Sequence, residues 1–161
     1  MRIDEILAQK RTLSFEVFPP KKGMEERDKL FSVIDELREL SPDFISVTYG
    51  AGGSNSKNSV EIADYLQNRA QITALAHITG GPSSPEDVTA VASALHDRGV
   101  ENVLCLRGDR PVGYEADYCR WFPHATDLAA YLAPYGFSLG AACYPEGHPE
   151  CESLYADLVN M

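Results

Sequence analysis

Two periods alternate along the chain. In Leu13-Ser14-Phe15-Glu16-Val17-Phe18-Pro19-Pro20, Leu13, Phe15 and Val17 face one way, and Ser14, Glu16 and Phe18 the other. That pattern predicts a short strand, stopped by prolines that lack the N–H a central strand donates. An amphipathic segment, Ile3 to Gln9, precedes it, and Lys21-Lys22-Gly23 makes a turn after it. From Met24 to Leu40 the period becomes helical, with Leu30, Val33, Ile34, Leu37 and Leu40 as the apolar stripe and Ser41-Pro42 as the stop.

The alternation of strand and helix then recurs. Phe44 to Tyr49 reads as a strand closed by Gly50-Ala51-Gly52-Gly53, and Lys57 to Asn68 as a helix striped by Val60, Ala63 and Leu66. Ile72 to His77 is a third strand. The next helix has Ser84 as N-cap, Pro85 as first residue, Glu86 and Asp87 in its first turn, Val88, Val91 and Leu95 as stripe and Gly99 as terminator. Asn102 to Arg107 is the fourth strand, and a long loop from Gly108 to Pro123 carries Tyr114, Tyr118, Trp121 and Phe122. Thr126 to Tyr135 is helical and stops at Gly136, Phe137 to Tyr144 is the fifth strand, and a last helix starts at Pro149 and continues to Met161. Strands beginning near residues 13, 43, 72, 102 and 137 are five βα units in a row, hence an α/β fold with a parallel sheet and right-handed crossovers. Periodicity and length alone favour an open, doubly wound five-stranded sheet over a closed (β/α)8 barrel, which needs eight units and typically ~250 residues.

Composition narrows the function classes. With 161 residues the chain is one domain, and a net charge of −10 disfavours nucleic acid and anionic membrane as partners. The N-terminus is too acidic for a signal peptide, and no apolar run is long enough for a transmembrane helix, which gives a cytoplasmic expectation. Cys105, Cys119, Cys143 and Cys151 form no Cys-x-x-Cys pair; Cys143, His148 and Cys151 offer three ligands at an unusual spacing, so no metal is expected and reduced thiols are.

Ligands of parallel α/β folds bind at the carboxyl ends of the strands. Those ends read Glu16, Thr48-Tyr49, His77-Ile78-Thr79, Arg107-Gly108-Asp109 and Tyr144, each polar after an apolar strand, and the coincidence points to a site. Singly, each residue has a plainer reading. Glu16 could face solvent on an edge strand, His77 could be a half-buried structural histidine, and Arg107 could pair with Asp109. Arg107-Gly108-Asp109 also spells an adhesion tripeptide, which suits a cytosolic chain poorly. Gly50-x-Gly52 starts a dinucleotide fingerprint that fails, because Asn55 holds the third glycine position and no acid closes the next strand.

Five motifs together resemble methylenetetrahydrofolate reductase, in order and at matching spacing. They are Ser14 to Pro20, Val47-Thr48-Tyr49-Gly50-Ala51, Ala76-His77-Ile78-Thr79, Leu106-Arg107-Gly108-Asp109 and Ala142 to Glu150. The resemblance implies a (β/α)8 barrel binding FAD, with this chain as the first five of eight units and the C-terminal units missing. It reverses the preference for an open sheet. It implies reduction of 5,10-methylenetetrahydrofolate to 5-methyltetrahydrofolate using NAD(P)H, and possible homo-oligomers.

Glu16 matches the family's general acid, which protonates a folate nitrogen so that the ring opens to an iminium. A carboxyl in an apolar lumen would hold its proton near neutrality. Asp109 matches the carboxylate beside flavin and pterin. Thr48, His77, Arg107, Gly108, Asp109, Ala125, Tyr144, His148 and Asp157 match flavin contacts. Two departures stand out: Gly80 where a cysteine is common, and His124 where a tyrosine usually contacts the flavin. The chain also stops just before a basic flavin contact. A non-catalytic flavin-binding or interaction module derived from the reductase, and a small open α/β protein, are the rival readings.

Overall fold

The computed structural model describes residues 1–20, 24–49, 56–109, 118–148 and 150–160. The expected turn at Lys21-Lys22-Gly23, the glycines Gly50 to Gly53, Tyr114 and Pro149 lie outside the described residues. The elements run α1 (Ile3–Gln9), β1 (Ser14–Val17), α2 (Met24–Arg38), β2 (Phe44–Val47), α3 (Ser56–Asp64), β3 (Thr73–Thr79), α4 (Pro85–His96), β4 (Asn102–Leu106), α5 (Ala125–Leu132), β5 (Ser138–Ala141) and α6 (Leu154–Asn160). A π-helical turn, Tyr65–Ala70, continues α3, and a 3₁₀ turn, Ala133–Tyr135, continues α5.

All pairings are parallel, and the five strands lie in the order β1-β2-β3-β4-β5. A doubly wound sheet reverses its strand order at a switch point and carries helices on both faces. Neither feature is present among the described residues. The apolar core takes Val17, Ile45, Val47, Ala74, Ala76, Ile78, Val103 and Cys105, which the register puts on one face of the sheet. Against that face pack Ile34 of α2, Ile62 and Ala63 of α3, Val88, Ala92 and Leu95 of α4, and Leu128 and Leu132 of α5. Each fully buried Val, Leu or Ile contributes about 1.5–3 kcal/mol relative to exposure, so this single helix layer is the main source of stability. Sequential order with one helix layer is the arrangement of the opening units of a (β/α)8 barrel, and the sheet is not closed. The doubly wound expectation fails because periodicity reports the spacing of elements and is silent on strand order.

The other face carries the polar residues of the strands, among apolar ones. The register sets Glu16 opposite Ser46, Ser46 opposite Leu75, Leu75 opposite Asn102 and Asn102 opposite Ser138. α1 closes the N-terminal end of this face. Asn102, almost fully buried, accepts from the Ile3 N–H at 2.8 Å and donates to the carbonyls of Met1 and Ala74 at 3.0 and 3.2 Å. Ser138 Oγ donates to Asp4 at 2.8 Å, and Lys10 pairs with Asp43. Polar groups at the base of the face are thus spent on the plug.

Three boundaries differ from expectation. The stripe of α2 is Leu30, Ile34 and Leu37, while Val33, on the outward side of the helix, and Leu40, beyond its end at Arg38, are exposed. β5 ends at Ala141 rather than Tyr144, since it pairs only with a β4 that itself ends at Leu106. The last helix begins at Leu154, with Ser153 Oγ accepting from the Ala156 N–H at 3.1 Å.

Candidate active site

Glu16 leaves β1 on the face opposite the helix layer. Its Oε2 accepts from Ser46 Oγ at 3.0 Å and lies 3.5 Å from His77 Nε2. His77 sits in the middle of β3, with its side chain only 7% exposed. The imidazole nitrogen is near enough to feel the carboxyl's charge but is not aligned for a hydrogen bond. Among the described residues Nε2 is a buried polar atom without a hydrogen-bond partner. Burial, the larger effect, pushes the His77 pKa below its ordinary value, and the Glu16 charge pulls it partly back. The ring is therefore neutral near pH 7. The apolar enclosure expected around Glu16 is not found: its side chain is 47% exposed, and its polar neighbours are a hydroxyl and an imidazole. Ser46 was missed by sequence reasoning. The features that mark it, burial and a place opposite Glu16 in the strand register, exist only after folding.

A second group of residues gathers at the C-terminal ends of β4 and β5. Arg107 Nη1 donates to Glu150 Oε2 at 2.7 Å, so the plainer alternative of a pair with Asp109 gives way to a partner 43 residues on. That hydrogen bond raises the Arg107 pKa further above its ordinary value and lowers that of Glu150. Asp109 is exposed, and its carbonyl accepts from the Tyr118 hydroxyl at 2.7 Å. Gly108 adopts φ +83°, which only glycine takes without strain, and it carries the chain away from β4 toward that contact.

Tyr144 is exposed and meets the His148 ring edge-on at 5.2 Å. Asp157 is buried. Its carboxylate accepts from the His148 N–H at 2.8 Å and from Cys151 Sγ at 3.4 Å, so it ties the 148–151 turn to α6. Thr48 is half-buried, its N–H donating to Val17 and its carbonyl accepting from Ser59 Oγ at 3.0 Å. Ala125 is the first residue of α5, after an N-cap His124 whose N–H donates to Asp127 at 2.9 Å. The fold thus assembles Glu16 with His77, and Tyr144 with His148 and Asp157. The contacts described for Thr48 and Asp109 fall elsewhere, on Val17 and Ser59 and on Tyr118.

The departure at Gly80 has a local cause. A Cβ there would fall 2.6 Å from Cβ of the buried Phe122, and one at Gly81 would fall 2.7 Å from the Arg107 carbonyl. Backbone bonds from Gly80 N to Leu106 O (2.9 Å), from Gly81 N to Arg107 O (2.8 Å) and from Cys119 N to Gly81 O (2.7 Å) hold this turn flat against β4. The four cysteines are thiols, and burial pushes the Cys105 thiol up to about 11. No group of three metal-ligating side chains stands together among the described residues. Nor is any helix among them long and apolar enough to cross a membrane.

Comparison with known proteins converges on one family. The methylenetetrahydrofolate reductase family profile matches residues 2–161. The chain belongs to the methylenetetrahydrofolate reductase family. The 5,10-methylenetetrahydrofolate reductase of Pectobacterium carotovorum subsp. carotovorum is 38% identical over 152 residues, covering 92% of this chain and 49% of the relative. The enzyme of that name from Escherichia coli (strain K12) is 34% identical over 150 residues, with the same coverage. A probable methylenetetrahydrofolate reductase (NADH) of Oryza sativa subsp. japonica is 37% identical over 155 residues, covering 92% of this chain and 26% of its own length. The chain thus spans about half the length of the bacterial relatives. Family membership agrees with the barrel-like strand order.

Proposed function

We propose that this chain carries the opening part of a flavin-dependent methylenetetrahydrofolate reductase, in a (β/α)8 barrel that further βα units complete. The observation that carries the reading is Glu16 on the open face, hydrogen-bonded to Ser46 and beside His77. Glu16 on the helix-packed face would have ended it. The donor set also suits FAD. An unpartnered buried imidazole nitrogen, a guanidinium at a strand end and a glycine at φ +83° are groups that a polar, phosphate-bearing ligand can use. Thr48, His77, Arg107, Gly108, Asp109, Ala125, Tyr144, His148 and Asp157 would hold it. When bound, FAD supplies the hydride relay between NAD(P)H and the folate.

Within this reading Glu16 is the general acid. Its O–H bond breaks as an N–H bond forms on the folate nitrogen, and the electron pair of the opening C–N bond stays on that nitrogen. Asp109 is the second carboxylate, next to the pterin. Glu150 keeps Arg107 in place until a pyrophosphate competes for it. We take the protein to be cytoplasmic, with small-molecule substrates. The exposure of Glu16 supports one alternative, a flavin-binding module without folate chemistry.

One experiment separates the two. The protein with the further βα units that complete its barrel is loaded with FAD, and NAD(P)H oxidation is followed with a quinone acceptor and with methylenetetrahydrofolate. Reduction of both supports the reductase, reduction of the quinone alone supports the module, and failure to bind FAD overturns both.

A further inference from the structure

β1 and β2 pair with Glu16 opposite Ser46, so the two side chains leave the sheet on the same face. Ser46 is buried, and its hydroxyl donates to Glu16 Oε2 at 3.0 Å. His77 Nε2 stands 3.5 Å from that same oxygen, from the next strand. Among the described residues, every polar contact of the carboxyl falls on Oε2. One oxygen is held, and the side chain as a whole is 47% exposed.

We propose that Ser46 is a positioning residue for the proton transfer: its hydroxyl fixes Oε2, with His77 alongside, so that Oε1 carries the proton to the substrate nitrogen. The proposal rests on the reading of Glu16 as general acid. As the Oε1–H bond breaks and the N–H bond forms, the carboxyl group becomes a carboxylate. Negative charge grows on both oxygens, and the hydrogen bond from Ser46 becomes charge-assisted. An interaction that strengthens as the proton leaves acts on kcat more than on KM. A serine in this position adds little apolar volume, and its contribution is the donor.

A double-mutant cycle in the full, flavin-loaded protein tests this. Ser46→Ala is expected to lower kcat for folate reduction about tenfold, the worth of one good hydrogen bond, with KM little changed. In a Glu16→Gln background the same change should cost nothing further, because an amide gives up no proton and no charge develops for the hydroxyl to stabilise. Equal losses in both backgrounds, or a loss confined to KM, would overturn the proposal while leaving the general acid intact. Full folate reduction by Glu16→Gln alone would instead remove the general-acid reading itself.

A readout without flavin runs in parallel. Infrared difference spectra between wild type and Glu16→Gln isolate the Glu16 carboxyl band, which should shift in Ser46→Ala; an unmoved band contradicts the contact. Should Ser46→Ala not fold, as judged by circular dichroism, Ser46→Cys keeps the size with a weaker donor. It should give a smaller loss, again absent without Glu16.

Discussion

His77 loses more by burial than it gains from Glu16, and its pKa in the folded chain therefore lies below the ordinary 6.5. The unfolded chain takes up this proton near 6.5 and the folded chain only at lower pH. Stability is thus full above 6.5 and falls as pH drops from there through the folded value. His77→Gln removes the titration. Urea midpoints measured above and below pH 6.5 should differ less in the variant than in wild type, and an equal or wider gap would contradict the assignment. Glu16 and Asp109 are expected to separate by half-reaction. Glu16→Gln should cut folate reduction by about 10²–10⁴-fold while sparing NAD(P)H oxidation through flavin, since only the folate half needs a proton donor. Asp109→Asn should perturb both halves, and stopped-flow measurement of each half tells them apart. Equal loss of both in Glu16→Gln would make Glu16 structural. Glu16 and His77 were legible because a polar side chain in an apolar strand is conspicuous. Ser46 and the Arg107–Glu150 pair were not, since a serine in a strand looks ordinary and a contact across 43 residues exists only after folding.

At the scale of elements, local signals were read well wherever the cause was local. The capping box of α4 is present: Ser84 Oγ accepts from the Asp87 N–H at 3.2 Å, and Asp87 accepts from the Ser84 N–H at 3.1 Å. Gly99 and Gly136 adopt φ +70° and +79° where the helices α4 and α5 were expected to stop. Ser84→Ala should destabilise by about 1 kcal/mol in chemical denaturation, and Ser84→Thr much less. Signals that depend on packing were read poorly. Ala142 to Tyr144 were expected in a strand and Cys151 to Ser153 in a helix, yet both lie outside β5 and α6, and the contact made there is Asp157 reaching back from α6 to the His148 N–H. The turn after β3 is similar, because the need for glycine comes from Phe122, distant in sequence. Gly80→Ala should cost about 1–3 kcal/mol, as overpacking does, because the atom it meets is a Cβ that most substitutions at 122 would retain. A thermal unfolding curve that does not move would show that the 118–124 segment gives way freely.

The whole molecule has a finished face and an unfinished one. Helices bury the first, while on the second Glu16 remains half-exposed above the α1 plug. Among the described residues β1 pairs only with β2 and β5 only with β4, so both outer strands offer unpaired backbone groups, with Leu13 and Phe18 exposed beside the first. α6 adds Leu154, Tyr155, Leu158 and Val159, all exposed. The fold class was legible from spacing, but this openness was not, because it depends on strand order and on which face the helices choose. A polypeptide of these 161 residues alone is therefore expected to self-associate through its edges, with its charge of −10 favouring small oligomers over precipitation. Flavin held as proposed above would lack contacts on the open side. Two or three absent hydrogen bonds at ~1–1.5 kcal/mol each weaken binding by orders of magnitude. Turnover of methylenetetrahydrofolate by this polypeptide should be near background. Sedimentation, flavin absorbance after desalting and the reductase assay check the three expectations together. Leu13→Lys, which sets a charge on the β1 edge, should shift the sedimentation profile toward monomer. A monomeric, yellow polypeptide of this length that reduces methylenetetrahydrofolate at an ordinary enzymic rate would mean that the open face is sufficient as it stands.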